Sequence, residues 1–242
     1  MVRFHAVLLD YTNTVVQFDR PQIEGIHARL AEHLSRTLGP VEAAALGEVM
    51  DRVCVRSAAT PQLRELTATE QMRRILQDAY GRPFQEADPA VAAADRAYQD
   101  LFVASLRVDA RTVSVLRALH AIVRVGLVSN YPCGRSLRRS LAALGIAGDF
   151  DPVVVSGEVG WIKPHPEPFR IAVEGLGVPA ERVLLVGDDW ACDMVGGRDA
   201  GMATCHHVGL SSCRDHDRCY STYRPDFTIR NLEEILPILR AA

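Results

Sequence analysis

A chain of 242 residues, 48% hydrophobic and 24% charged, is long enough to bury a full core and reads as a soluble globular protein, one large domain or one domain with a sizeable insertion. A formal charge of −3 gives no reason to expect nucleic acid or an anionic membrane surface as a partner. No apolar run approaches the ~20 residues of a membrane helix and no signal-peptide hydrophobic region opens the chain, so a cytoplasmic location is expected.

The first element is the apolar run Val7-Leu8-Leu9, a strand buried on both faces that stops at Asp10 and the turn-formers Tyr11-Thr12-Asn13-Thr14. From Pro21 the period becomes helical. Ile23, Ile26, Leu30, Leu34 and Leu38 share one face, and Gly39-Pro40 ends the run. A second helix is expected over 41–59. A third follows the capping pattern Thr67-Ala68-Thr69-Glu70, and a fourth opens at Asp88-Pro89. Four amphipathic helices without an intervening strand predict a small bundle inserted over 18–107 into the domain formed by 1–17 and 108–242.

From Arg111 helices and strands alternate. Strands are predicted over 122–128, 152–155, 183–186, 203–208 and 226–229, with helices over 111–120, 135–144, 166–176, 191–200 and 232–239. The pattern predicts an α/β fold with a parallel sheet covered on both faces.

Ligands of such sheets lie beyond the carboxyl ends of the strands. Four groups of polar residues fall at those ends or in adjacent loops. They are Asp10 to Thr14, Ser129-Asn130, Lys163 within Gly160-Trp161-Ile162-Lys163-Pro164, and Asp188-Asp189 with Asp193 beyond. Several acids at one edge repel unless a divalent cation sits among them, and carboxylates with a backbone carbonyl suit Mg²⁺. The Ser129 hydroxyl and the Lys163 ammonium could hold phosphoryl oxygens, which describes phosphoryl transfer. Of the 27 basic residues Lys163 is the only lysine, a hint that a compact ammonium is needed there.

In the order and content of these four motifs, along nearly its whole length, the chain resembles the haloacid dehalogenase (HAD) superfamily with a helical cap inserted after the first strand. The resemblance implies a Rossmann-like core with the first strand central and Mg²⁺ as cofactor. Asp10 would be the nucleophile that forms an aspartyl-phosphate on a small phosphorylated substrate. Thr14, Ser129 and Asn130 would bind phosphate, and Lys163 would neutralise charge. Asp10, the Thr12 carbonyl and Asp188 would hold the metal, while Asp189 and Asp193 would hold Lys163 or metal-bound water.

One departure stands out. Phosphatases of the superfamily usually carry a second aspartate two residues after the nucleophile as acid and base, and here that residue is Thr12. Its hydroxyl does not titrate near neutral pH, and loss of a positioned acid and base forfeits roughly 10²–10⁴-fold in rate. Slow or atypical turnover is therefore expected. Asn13, where glycine is common, tolerates positive φ.

Two further readings stay open, a dehalogenase that attacks carbon and a catalytically degenerate domain that binds or regulates. The acidic Asp188, Asp189, Asp193 set suits a metal better than a halide. The lysine-free cap excludes a phosphonatase that uses a cap lysine, and the absence of a membrane span argues against a transport ATPase. His165 is a candidate for the missing proton donor or simply a loop histidine. Cys205, His206, His207, Cys213, His216 and Cys219 could bind zinc, although strand alternation divides the first three between faces. Tyr11 and Trp190 either line the pocket or pack, and Arg56, Arg64 and Arg73 either meet an anionic substrate or form a solvated helix face. All six cysteines, Cys54, Cys133, Cys192, Cys205, Cys213 and Cys219, are expected as free thiols.

Overall fold

The computed structural model describes residues 4–58, 62–210 and 224–240, the side chains of 54–58 excepted. Six strands form one parallel sheet in the order β3-β2-β1-β4-β5-β6. They are β1 (Ala6–Leu9), β2 (Arg124–Ser129), β3 (Val153–Val155), β4 (Val183–Gly187), β5 (Ala203–His207) and β6 (Phe227–Ile229). β1 lies between β2 and β4, with Leu9 opposite both Leu127 and Val186. The two-residue period sorts its side chains between two cores. Val7 and Leu9 enter the apolar cluster that includes Val125, Leu127, Leu184 and Val186, whereas Ala6 and Leu8 enter the one with Val128, Leu185 and Phe169. A strand buried on both faces is thus what the unbroken apolar run becomes.

Helices α1 (Arg20–Thr37), α2 (Ala43–Ala58), α3 (Ala68–Tyr80) and α4 (Pro89–Ser105) follow β1 directly. Asp19 caps α1 in a reciprocal capping box with Gln22, and Thr67 and Asp88 cap α3 and α4. The four helices share an apolar cluster of their own, to which Leu30, Leu34, Leu46, Met50, Met72, Leu76, Val91 and Ala94 contribute. The chain enters and leaves this unit at adjacent points, because the Gln17 amide donates to the Arg107 carbonyl at 2.9 Å.

α5 (Ala110–His120), α6 (Gly134–Ala143), α7 (Ser156–Val159), α8 (Pro166–Leu176), α9 (Gly196–Asp199) and α10 (Ile235–Arg240) complete the described helices. α5, α6 and α10 cover one face of the sheet and α8 the other. Two features depart from expectation. The single turn α7 was not foreseen, and the helix predicted over 191–200 begins as a π-helical turn, Trp190–Val195, before α9. That wider turn coincides with Asp193, whose carboxylate is committed elsewhere. No described helix is long and apolar enough to cross a membrane.

Candidate active site

Asp10 follows β1, Ser129 ends β2 and Asp188 follows β4, so three neighbouring strands deliver polar residues to one edge of the sheet. Carboxylate oxygens of Asp10, Asp188 and Asp193 lie within 4.8 Å of one another. The Lys163 side chain, 2% exposed, faces them and uses all three of its hydrogens. Nζ donates to Asp10 Oδ1 at 2.6 Å, to Asp193 Oδ1 at 2.6 Å and to the Val128 carbonyl at 3.1 Å. Burial alone would lower the Lys163 pKa, but the Asp10 and Asp193 charges outweigh it and hold the ammonium protonated.

The lysine loop is fixed by Asn130, whose side-chain oxygen accepts from the Lys163 amide at 2.7 Å and whose amide donates to the Lys163 carbonyl at 3.0 Å. Asp193 is supported from its other oxygen, which accepts from the Asp189 amide at 3.1 Å. Gly187 makes room for that carboxylate, since a Cβ there would come within 2.2 Å of Asp193 Oδ2. Asp189 serves as a cap, accepting from the Cys192 amide at 2.7 Å, and is not among the acceptors of Lys163.

One ammonium faces this group of acids. Burial, and then the charges of Asp10, Asp193 and Asp189, push Asp188 up to about 9; burial also pushes Asp193 up, to about 7. The carboxylates of Asp10, Asp188 and Asp193 are the oxygens that the structure gathers for a cation. An all-oxygen carboxylate set, in which Lys163 takes one oxygen of Asp10 and one of Asp193, fits Mg²⁺.

Asn13 adopts φ 57°, the left-handed conformation expected of it, and its carbonyl accepts from or faces His207 Nδ1 at 3.1 Å. Thr14 stands apart from the network of Lys163. Its buried hydroxyl has no partner among the described residues, and it borders a separate cavity with Arg107, Arg111 and Arg230. Ser129 is buried at the strand end.

Tyr11 packs in the core, its hydroxyl bonded to Ser140 and pushed up to about 12 by burial. Trp190 is buried edge-on against His206. His165 caps α8 through Nδ1 and stacks on Trp161 at 3.9 Å, with the Arg64 guanidinium on Trp161 at 3.7 Å. Arg73 pairs with Glu70. Cys133, Cys192 and Cys205 are free thiols; His206 turns to the Asp188 carbonyl, away from Cys205. The side chains of Cys54 and Arg56, and residues Cys213, His216 and Cys219, lie outside the described residues.

A cavity of about 250 Å³ is lined on one side by Thr12, two residues after Asp10, and by Asn130, which holds the lysine loop, and on the other by residues of the helical unit. Its lining includes Glu65, Asp95 and Gln99, none of which the sequence singled out. Glu65 accepts from the Ser156 hydroxyl and from Gln71, and burial raises its pKa. The only local signal was an acid at the edge of a predicted helix.

Residues 4–201 match the family model of haloacid dehalogenase-like hydrolases. Pyrophosphatase PpaX of Bacillus cereus (strain AH820) is 41% identical over 91 residues, 37% of this chain and 40% of the relative. Pyrimidine 5'-nucleotidase YjjG of Escherichia coli (strain K12) is 39% identical over 101 residues, 39% of this chain and 44% of the relative. The chain thus matches less than half the length of these curated relatives. A crystal structure of 2-haloacid dehalogenase from Pseudomonas syringae pv. Tomato DC3000 superposes with a TM-score of 0.73 at 25% identity, covering 99% of this chain and all of the other. With its six-stranded parallel sheet and acid-lysine site, the chain belongs to the haloacid dehalogenase-like hydrolases.

Proposed function

We propose that this hydrolase is a Mg²⁺-dependent phosphatase or phosphotransferase acting on a small phosphorylated metabolite, with residues 18–107 as its cap. The observation that carries the reading is the meeting of Asp10, Asp188 and Asp193 at the strand ends with a single ammonium facing them. A site for halide has no use for converging acids, whereas a phosphoryl group with Mg²⁺ brings the missing positive charge. The names of the two curated relatives, a pyrophosphatase and a nucleotidase, support phosphorus as the centre attacked.

Asp10 attacks phosphorus through Oδ2, since Oδ1 is held by Lys163. The new Oδ2–P bond replaces the bond to the leaving oxygen, which departs with the electron pair. Mg²⁺, when bound at Asp10, Asp188 and the Thr12 carbonyl, offsets phosphoryl charge as a Lewis acid. Lys163 keeps Asp10 ionised and aligned, and Asp193 keeps Lys163 in place. Water then attacks phosphorus, breaks the Oδ2–P bond and must lose a proton that Thr12 does not accept. Good leaving groups, aryl and acyl, therefore phosphorylate Asp10 readily, and the phosphoenzyme accumulates.

A panel of phosphate esters, acyl phosphates and 2-haloacids, each with and without Mg²⁺, tests the reading. Mg²⁺-requiring phosphate release, lost in Asp10→Asn, is expected. Metal-independent halide release would establish the dehalogenase instead, and silence from a folded protein would favour a binding or regulatory domain.

A further inference from the structure

The cavity lined by Thr12 and Asn130, each next in the fold to the site of the proposed nucleophile, has an unusual charge balance. Its walls are largely apolar, with Phe18, Met72, Ile75 and Phe102 among them, and its polar lining combines acids and amides with the hydroxyl residues Thr12, Tyr98 and Tyr131. Glu65 and Asp95 are both present, and among the described residues no lysine, arginine or histidine lines it. At about 250 Å³ it holds the equivalent of about eight waters, room for one small ring with a substituent.

The two acids differ in what they have free. Both Glu65 oxygens are engaged, one by the Ser156 hydroxyl and the other by Gln71 Nε2 at 3.1 Å. Asp95 accepts only from Gln99 Nε2, at 3.0 Å on Oδ1, and its Oδ2 has no partner among the described residues. The orientation of Gln99 is not arbitrary. Tyr131 donates to Gln99 Oε1 at 2.7 Å, so the Gln99 amide nitrogen must turn to Asp95. Gln99 is itself buried, which locks this arrangement and leaves Asp95 Oδ2 as the open acceptor. A leaving group with a carboxylate or a second phosphate would enter an apolar space lined by two acids and, among the described residues, no cation, losing water without gaining a counter-charge. A protonated amine meets the opposite conditions.

We propose that this cavity seats the leaving group of the substrate and selects one that carries a protonated amine on a small apolar frame, with Asp95 as its ion-pair partner and Glu65 adding negative charge from the facing loop. The proposal rests on the phosphatase reading for its chemistry, but its charge preference is a property of the cavity alone. It also separates this chain from its pyrophosphatase relative, because a leaving phosphate is an anion.

The test uses three aryl phosphates of similar shape: 4-(aminomethyl)phenyl, 4-methylphenyl and 4-(carboxymethyl)phenyl phosphate. With Mg²⁺, kcat/KM is expected to fall in that order, with at least tenfold between the amine and the carboxylate. Asp95→Asn should reduce that ratio below threefold, and Glu65→Gln should reduce it as well. Equal kcat/KM for the three, or preference for the carboxylate, overturns the proposal. Calorimetric binding of the corresponding free phenols supplies a readout that needs no turnover. Tighter binding of 4-(aminomethyl)phenol than of 4-(carboxymethyl)phenol by tenfold, lost in Asp95→Asn, supports the cavity assignment even if none of the esters is hydrolysed, which would count against the phosphatase reading alone. Absence of that binding preference overturns the proposal.

Discussion

Lys163 is the residue on which the site turns, because three acceptors converge on its three hydrogens in a space closed to water. A guanidinium is planar and longer, so Lys163→Arg should lower kcat/KM by about a hundredfold or more, the usual scale for losing a charge-stabilising donor. Lys163→Met leaves Asp193 buried without its cation, and denaturant unfolding should show a loss of about 3 kcal/mol. Normal activity in the arginine variant would reduce the single lysine to an accident of composition. Thr12 divides the chemistry differently. Thr12→Asp adds an acid and base beside the cavity and should raise steady-state turnover at least tenfold, measured with one aryl and one alkyl phosphate. No gain would mean that another group already moves the proton; His165, committed to capping α8 and stacking on Trp161, is poorly suited to that task.

Among the elements, the caps are the most directly testable link between sequence and fold. Asp19 accepts from the Gln22 amide while Gln22 Oε1 accepts from the Asp19 amide, so Asp19→Ala should cost about 1 kcal/mol in an unfolding titration. No change would show that packing alone sets the start of α1. Such local signals explain what the sequence made legible. The apolar run of β1, the three- and four-residue spacing of α1 and the strand-helix alternation after Arg111 each follow from near neighbours, and the convergence of Asp10, Lys163, Asp188 and Asp193 follows from strand ends sharing one edge. Long-range contacts were hidden. Tyr11 looked as suited to the pocket as to the core, and the Ser140 that receives it lies 129 residues away. The bond from Ser156 to Glu65 spans 91 residues, and the stack of Arg64 on Trp161 joins the α2–α3 connection to the lysine loop. The π-helical turn at Asp193 was equally illegible, because it satisfies a carboxylate whose partners come from other elements.

For the molecule as a whole, the converging acids at the sheet edge set how stability depends on pH. Asp188 is raised from 3.8 to about 9 by burial and by its neighbouring charges. The native state therefore binds this proton more tightly than the unfolded state, and metal-free stability should fall as pH rises from about 4 to about 9. Lys163 adds no slope there, because its raised pKa preserves its contribution until pH exceeds the unfolded value of 10.5. Mg²⁺ should raise the melting temperature most at the alkaline end of that window, and Asp188→Asn should flatten the metal-free profile and abolish the Mg²⁺ shift. A metal-free profile that rises through that range would contradict this charge balance.

Phosphorylation of Asp10 itself is the step that separates phosphoryl transfer from every other reading, and intact-protein mass spectrometry detects it. The chain is mixed with an aryl or acyl phosphate and Mg²⁺, quenched in acid within the first turnover, and the modified peptide is sequenced. A mass gain of one phosphoryl group at Asp10 is expected, dependent on Mg²⁺, absent in Asp10→Asn and shorter-lived in Thr12→Asp. Phosphate release without any adduct at Asp10, or an adduct on another residue, would contradict it.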